Sequence, residues 1–259
     1  MIFQPSNIDI ETYLKFLSNP HIVHENITTF DNEILDGCLY NSYKSPSYSD
    51  IIFLYSHGNA GNISQIIGND IVDNLSKYGT VFIYDYRGYG MSTGSPSDDG
   101  LFIDSKSVWQ FLTQIKNVNP KNIVLFGHSL GTSITMELAL HLVKNNIAFS
   151  NQVVLQNPFS SMKNISKDVM PFIGSLVISD LNTNQFIEEL DNYTNDLHIY
   201  LLHSKDDELI HHKHSHELFS IVRNNKCNMT LMDGSHDRPF YDNKTDQIFT
   251  KIIDLINQD

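Results

Sequence analysis

Cysteine is scarce in this chain: Cys38 and Cys227 are the only two among 259 residues, and they form no C-x-x-C pair. That excludes a disulfide scaffold or a cysteine-based metal knuckle and implies reduced thiols in an intracellular, cytoplasmic protein. Basic residues are also few, with 17 Lys and Arg against 30 Asp and Glu and a net charge of −13. This balance leaves no footprint for nucleic acid or anionic lipid and argues chiefly for solubility. No apolar run approaches the ~18 residues of a membrane-spanning helix, so no integral membrane segment is expected. The opening stretch 1–5 lacks a basic region and an apolar core, so no secretory signal is expected either. Sequons such as Asn26-Ile27-Thr28 then reflect a chain rich in asparagine.

What is present is enough apolar material, 41%, for one large core, and no linker or repeat divides it. Residues 1–259 read as a single domain. A hairpin-like pair over 22–28 and 33–40 comes first. Strand-like runs then alternate with helical ones. The strands are Ile51 to Ser56, Val81 to Tyr86, Asn122 to Phe126, Gln152 to Gln156, Leu197 to His203 and Cys227 to Met232. The helices fall at about 62–78, 101–117, 130–144, 211–224 and 245–257. The alternation predicts an α/β fold, a mostly parallel eight-stranded sheet with helices on both faces. One stretch, 158–196, breaks the rhythm with Met162, Met170, Phe172, Ile173, Leu176, Val177, Ile178 and Leu181. Inserted after a strand, it is expected above the carboxyl ends of the sheet, as a small apolar cap lining an acyl pocket.

The informative motif is Gly127-His128-Ser129-Leu130-Gly131, between the strand Asn122 to Phe126 and a run with Ile134, Leu138 and Leu142 at helical spacing. A strand that turns this sharply into a helix strains the turn residue and pushes its side chain into the open, as a nucleophile elbow does. A second G-x-S-x-G, Gly90-Met91-Ser92-Thr93-Gly94, serves as a control. It follows no strand directly and leads into the turn-rich Ser95–Gly100, so context selects Ser129 over Ser92.

A serine hydroxyl needs a base, itself oriented by a carboxylate, and after an elbow these follow in the order acid, then histidine. After the strand ending at His203 comes Ser204-Lys205-Asp206-Asp207-Glu208; after the last strand comes Asp233-Gly234-Ser235-His236. His236 is therefore the candidate base, with Gly234 letting its loop turn back over the elbow. Asp206 and Asp207 compete for the acid, and spacing alone does not separate them. For the oxyanion, one amide is that of Leu130 at the head of the elbow helix, and a second comes from the small-residue loop His57-Gly58-Asn59-Ala60-Gly61-Asn62. Asn59 is the expected donor there, with Ala60 as alternate.

Several stretches together resemble the α/β-hydrolases of the Bem46-like group, which includes the palmitoyl-thioesterase-like α/β-hydrolase-domain proteins 17 and 13. They are Ser56-His57-Gly58-Asn59-Ala60, the run Tyr84 to Ser92, the elbow, Asn157-Pro158-Phe159-Ser160-Ser161, His203 to Ile210 and Gly234-Ser235-His236. The resemblance implies the α/β-hydrolase fold and takes Asp207, fifth residue of an H-G-x-x-D element, as the acid. Ser204 stands where that group usually has glycine. The membrane helix or palmitoylated cysteine cluster that anchors those relatives is not expected here.

The resulting expectation is a serine hydrolase cleaving a small-molecule carboxylic ester or thioester, with Ser129, His236 and Asp207 catalytic. Asn59 and Leu130 would form the oxyanion hole, and Ala60, His128, Phe159 and Met162 would touch substrate. Neither metal nor organic cofactor is required. The rival reading is a binding or regulatory protein that kept the fold and lost turnover. Asp85-Tyr86-Arg87-Gly88-Tyr89-Gly90 lacks G-x-G-x-x-G, so it is read as scaffold and not as a dinucleotide site. The run His211-His212-Lys213-His214-Ser215-His216 places 212 and 216 at i, i+4, a conceivable zinc pair, but reads better as an exposed helix start.

Overall fold

The computed structural model describes residues 3–6, 8–40, 50–169, 174 and 177–258. Along the strand Ile123–His128, every side chain is buried, with Leu125 facing one apolar layer and Val124 and Phe126 the other. Successive strand side chains point to opposite faces, so a strand with no polar face must be covered on both sides. This requirement is met by helices above and below the sheet.

In chain order the strands are β1 (Gln4–Pro5), β2 (Ile22–Thr28), β3 (Ile34–Tyr40), β4 (Ile52–Ser56), β5 (Ala60–Gly61), β6 (Thr80–Tyr84), β7 (Ile123–His128), β8 (Gln152–Gln156), β9 (His198–Ser204) and β10 (Lys226–Met232). The helices are α1 (Ile10–Leu17), α2 (Ile63–Ile66), α3 (Asp70–Leu75), α4 (Asp98–Gln110), α5 (Leu130–Lys144), α6 (Met162–Val169), α7 (Thr183–Leu190), α8 (Lys213–Ile221) and α9 (Asn243–Ile256). Among the described residues, eight strands form the main sheet in the order β10-β9-β8-β7-β4-β6-β3-β2. It is parallel except where β3 pairs with β6 and β2 pairs with β3. Residues of α4, α5, α7 and α8 belong to one core layer, and those of α1, α3 and α9 to the other. Cys38 on β3 and Cys227 on β10 lie towards opposite ends of the sheet, and both are free.

Two expectations change, and two elements were not expected. The helix expected over 62–78 is two short ones, because Gly68 adopts φ +85° and Asn69 caps α3 by accepting from the Val72 amide at 2.9 Å. The helix expected from 101 starts at Asp98, capped by Ser97, and passes into a π-helical turn at Phe111–Ile115. Its cap lay inside a stretch whose serines and glycine read as a loop. Helix α1 and the β1–β5 pairing went unread, since an eight-residue helix and a two-residue bridge carry little periodicity.

Within 158–196, α6 and α7 are described. Met162, Ile165, Ser166 and Val177 face the cavity beside Ser129, while Leu181, Phe186, Ile187 and Leu190 join the core. Met170, Phe172, Ile173 and Leu176 lie outside the described residues. No helix among the described residues is long and apolar enough to cross a membrane.

Candidate active site

Strand β7 sits near the middle of the sheet, and its chain reverses at Ser129 into α5. Ser129 has φ 52° and ψ −117°, a conformation that costs a non-glycine residue of order 1–3 kcal/mol. Packing enforces it: a Cβ at Gly131 would lie 1.9 Å from the Ser56 carbonyl oxygen, so the elbow presses directly on β4. The second motif is different. Ser92 Oγ donates to the Asp85 carbonyl at 2.8 Å and accepts from the Asp36 amide at 2.9 Å, which makes it a buried brace.

The loops after β9 and β10 bring two more groups to the elbow. Ser129 Oγ lies 2.9 Å from His236 Nε2, and His236 Nδ1 lies 2.7 Å from Asp207 Oδ2. Asp207 Oδ1 accepts from the amides of Leu209 and Ile210, at 2.9 and 2.7 Å. Burial pushes the Asp207 carboxyl up, but hydrogen bonds from His203 and His236 outweigh it and hold the group well below the ordinary aspartate range. An ionised acceptor at Nδ1 keeps the proton on that nitrogen, which leaves the Nε2 lone pair for the serine. Asp206 is exposed.

The His236 loop is clamped at its backbone. Its carbonyl accepts from Asn157 Nδ2 at 2.8 Å and from His128 Nε2 at 3.1 Å, and its amide donates to Glu208 Oε2 at 3.2 Å. Gly234, at φ +105°, makes the reversal and bridges to Pro239. Asn157 also accepts from the Ser204 amide at 2.8 Å, so it ties β9 to the His236 loop. Ser204 is not among the described residues with positive φ, so serine serves there as well as glycine. The Asn157–Pro158 pair after β8 was the available signal for this clamp, but nothing local said what its amide would hold.

The candidate oxyanion donors border the same space. Leu130 heads α5, where first-turn amides have no intrahelical acceptor. Across from it, a Cβ on Gly58 would come within 3.5 Å of Ser129 Cβ, which brings the loop with Asn59 and Ala60 against the elbow. A cavity of about 1050 Å³ opens over Ser129. Asn59, Ala60, His128, Leu130, Phe159, Met162 and His236 all line it, together with Ile66, Ile67 and Ile71, which the sequence did not single out. His128 therefore both borders this space and braces the His236 carbonyl. Burial, followed by the neighbouring His236, pushes its pKa down to about 3, so it is neutral.

His128, His236 and Asp237 bring ligand atoms within 4.8 Å of one another. Both His236 nitrogens already face Asp207 and Ser129, so a metal ion there would displace those hydrogen bonds. The imidazoles of 211–216 make no three-ligand group among the described residues. His212 stands at the N-cap position of α8 without a side-chain capping bond, and buried His214 is held by Ser160 and Asp168.

Residues 51–177 match the family model of the alpha/beta hydrolase fold. Protein R595 of Acanthamoeba polyphaga mimivirus is 29% identical over 99% of this chain and 91% of its own length. Protein bem46 of Schizosaccharomyces pombe is 36% identical over 58% of this chain and 49% of its own length. Among solved structures, the Pyrococcus furiosus esterase Pf2001 superposes with a TM-score of 0.69 at 18% identity, over 100% of this chain and 98% of its own.

Proposed function

From the premise that this chain belongs to the α/β-hydrolase superfamily and is Bem46-like in sequence, we propose that it is a serine hydrolase of carboxylic esters or thioesters. The observation that carries this reading is one line of contacts. Asp207, His236 and Ser129 stand at 2.7 and 2.9 Å, with the serine on a strained elbow at the floor of a large cavity.

Ser129 Oγ attacks the acyl carbonyl carbon while His236 Nε2 takes its proton, and Asp207 steadies the imidazolium so formed. The oxyanion accepts hydrogen bonds from the amides of Leu130 and Asn59. Collapse of the tetrahedral species breaks the bond to the alcohol or thiol, which leaves with the proton from His236. The acyl group stays on Ser129. Water then gives a proton to Nε2 as its oxygen attacks; collapse releases the carboxylic acid and returns the proton to Ser129. The cavity, with apolar Ile66, Ile71, Phe159, Met162 and Ile165, suits an acyl chain longer than acetyl. Met162, Ile165, Ser166 and Val177, the described residues that face it from 162–177, serve as its cap.

A fluorophosphonate probe tests the reading. Wild type is expected to label, Ser129→Ala is not, and its esterase turnover is expected to fall by about 10⁶. A chain that fails to label, or labels equally without Ser129, is the inert scaffold instead.

A further inference from the structure

The segment after β6, Asp85 to Gly90, takes no part in the steps above, yet the side chains of Asp85, Tyr86 and Tyr89 converge on the loop His57–Asn62 and the amide that follows it. Three successive carbonyls of that loop each face a donor. The Tyr86 hydroxyl donates to the His57 carbonyl at 2.6 Å. His57 Nδ1 faces the Gly58 carbonyl at 2.7 Å, and it must carry the proton because a carbonyl only accepts. The Tyr89 hydroxyl shares its proton between the Asn59 carbonyl, at 3.1 Å, and Asn59 Oδ1, at 2.9 Å.

A trans peptide is planar, and its C=O and N–H point to opposite sides. Fixing the carbonyls of residues 57, 58 and 59 therefore fixes the amides of residues 58, 59 and 60. The donors themselves have little room to move. The His57 ring stacks on Tyr86 at 4.3 Å and meets Tyr89 edge-on at 5.7 Å, and all three residues are fully buried. Asp85 closes the far end of the loop by accepting from the Ile63 amide at 2.9 Å, and its Oδ1 stands 3.5 Å from His57 Nε2.

We infer that His57, Tyr86 and Tyr89 are positioning residues that aim the oxyanion-binding amides, with His57 setting the Asn59 amide through the Gly58 carbonyl. The inference rests on the serine-hydrolase reading. His57 works here as a neutral donor, in keeping with burial that pushes its pKa down to about 4.

The test uses the full chain, a p-nitrophenyl ester, the fluorophosphonate probe and a trifluoromethyl ketone as oxyanion mimic. His57→Leu is expected to lower kcat by about 10²–10³, the cost of losing one oxyanion donor, with KM little changed. Ketone affinity is expected to fall in step with kcat/KM, which a merely space-filling residue would not cause. In His57→Asn the side-chain amide nitrogen occupies the place of Nδ1 and is expected to recover most of the loss. Tyr89→Phe removes only a hydroxyl, so it folds, and its kcat and ketone affinity are expected to drop together. Equal losses in His57→Leu and His57→Asn overturn the inference, as does wild-type ketone affinity in His57→Leu or Tyr89→Phe. Labelling that depends on Ser129 but is undiminished in His57→Leu sinks the positioning role alone. Labelling that ignores Ser129 sinks the hydrolase reading with it.

Discussion

Asp207 Oδ2 stands 2.7 Å from His236 Nδ1, while Asp206, its immediate neighbour in sequence, is exposed. One residue of register separates a carboxylate that can hold an imidazole from one on the exposed surface. Asp207→Asn is expected to cut kcat by about 10⁴, as the wrong tautomer does in serine triads, while Asp206→Asn stays near wild type. Steady-state ester hydrolysis by the two variants decides it; a greater loss at 206 reverses the assignment.

The second G-x-S-x-G motif makes a paired prediction. Ser92→Ala strips a buried hydroxyl from the Asp36 amide and the Asp85 carbonyl, at 2.9 and 2.8 Å. Leaving a buried group unpaired costs about 1–3 kcal/mol, so urea unfolding is expected to shift by that amount while Ser129 still labels.

Arg87 bridges two acids, bonding Asp104 through Nε at 2.9 Å and Asp31 through both terminal nitrogens at 2.8 and 2.9 Å. Asp104 is fully buried, so Arg87→Met abandons a charge inside the protein and is expected to cost about 3–5 kcal/mol. Asp31 is partly exposed, and Asp31→Asn is expected to cost far less. Chemical denaturation of both variants measures the difference.

Two aspartates tilt stability in opposite directions with pH. Asp207 is held below its ordinary range in the folded chain, so its contribution is present above that range and is lost on acidification. Asp85 is pushed well above its ordinary value by burial and by nearby Asp36, so the folded chain keeps a proton that the unfolded chain has released. Its contribution is full below the ordinary aspartate value and shrinks as pH rises towards the folded one. Asparagine does not titrate. The Tm of Asp85→Asn minus that of wild type is therefore expected to rise between pH 5 and pH 8; a constant or falling difference contradicts a neutral Asp85.

Met162 borders the cavity from α6. Met162→Trp is expected to raise KM for octanoyl esters about tenfold and leave acetyl esters nearly unchanged, since each buried methylene counts for about 1–3 kcal/mol. A chain-length series with p-nitrophenyl esters reads this directly, and equal effects on both substrates would place the acyl group elsewhere.

Local sequence was enough for whatever repeats within a few residues. The eight main strands and the elbow were legible because alternation, apolar runs and G-x-S-x-G between strand and helix are short-range patterns. So was His236, as the histidine in the loop after the last strand. The break at Gly68 and the early start at Asp98 were missed because caps and a single positive φ override average propensity. Asp207 could not be told from Asp206 by spacing, because the choice depends on which carboxylate the β9 turn points inwards. The triple grip on the loop His57–Asn62 was equally hidden, since Tyr86 and Tyr89 lie some thirty positions from the carbonyls they hold. Chain order fixed which chemistry was available; only the meeting of β4, β7, β9 and β10 at one edge of the sheet decided which atoms touch, because side-chain contacts between distant segments are set by three-dimensional packing and not by neighbours in sequence.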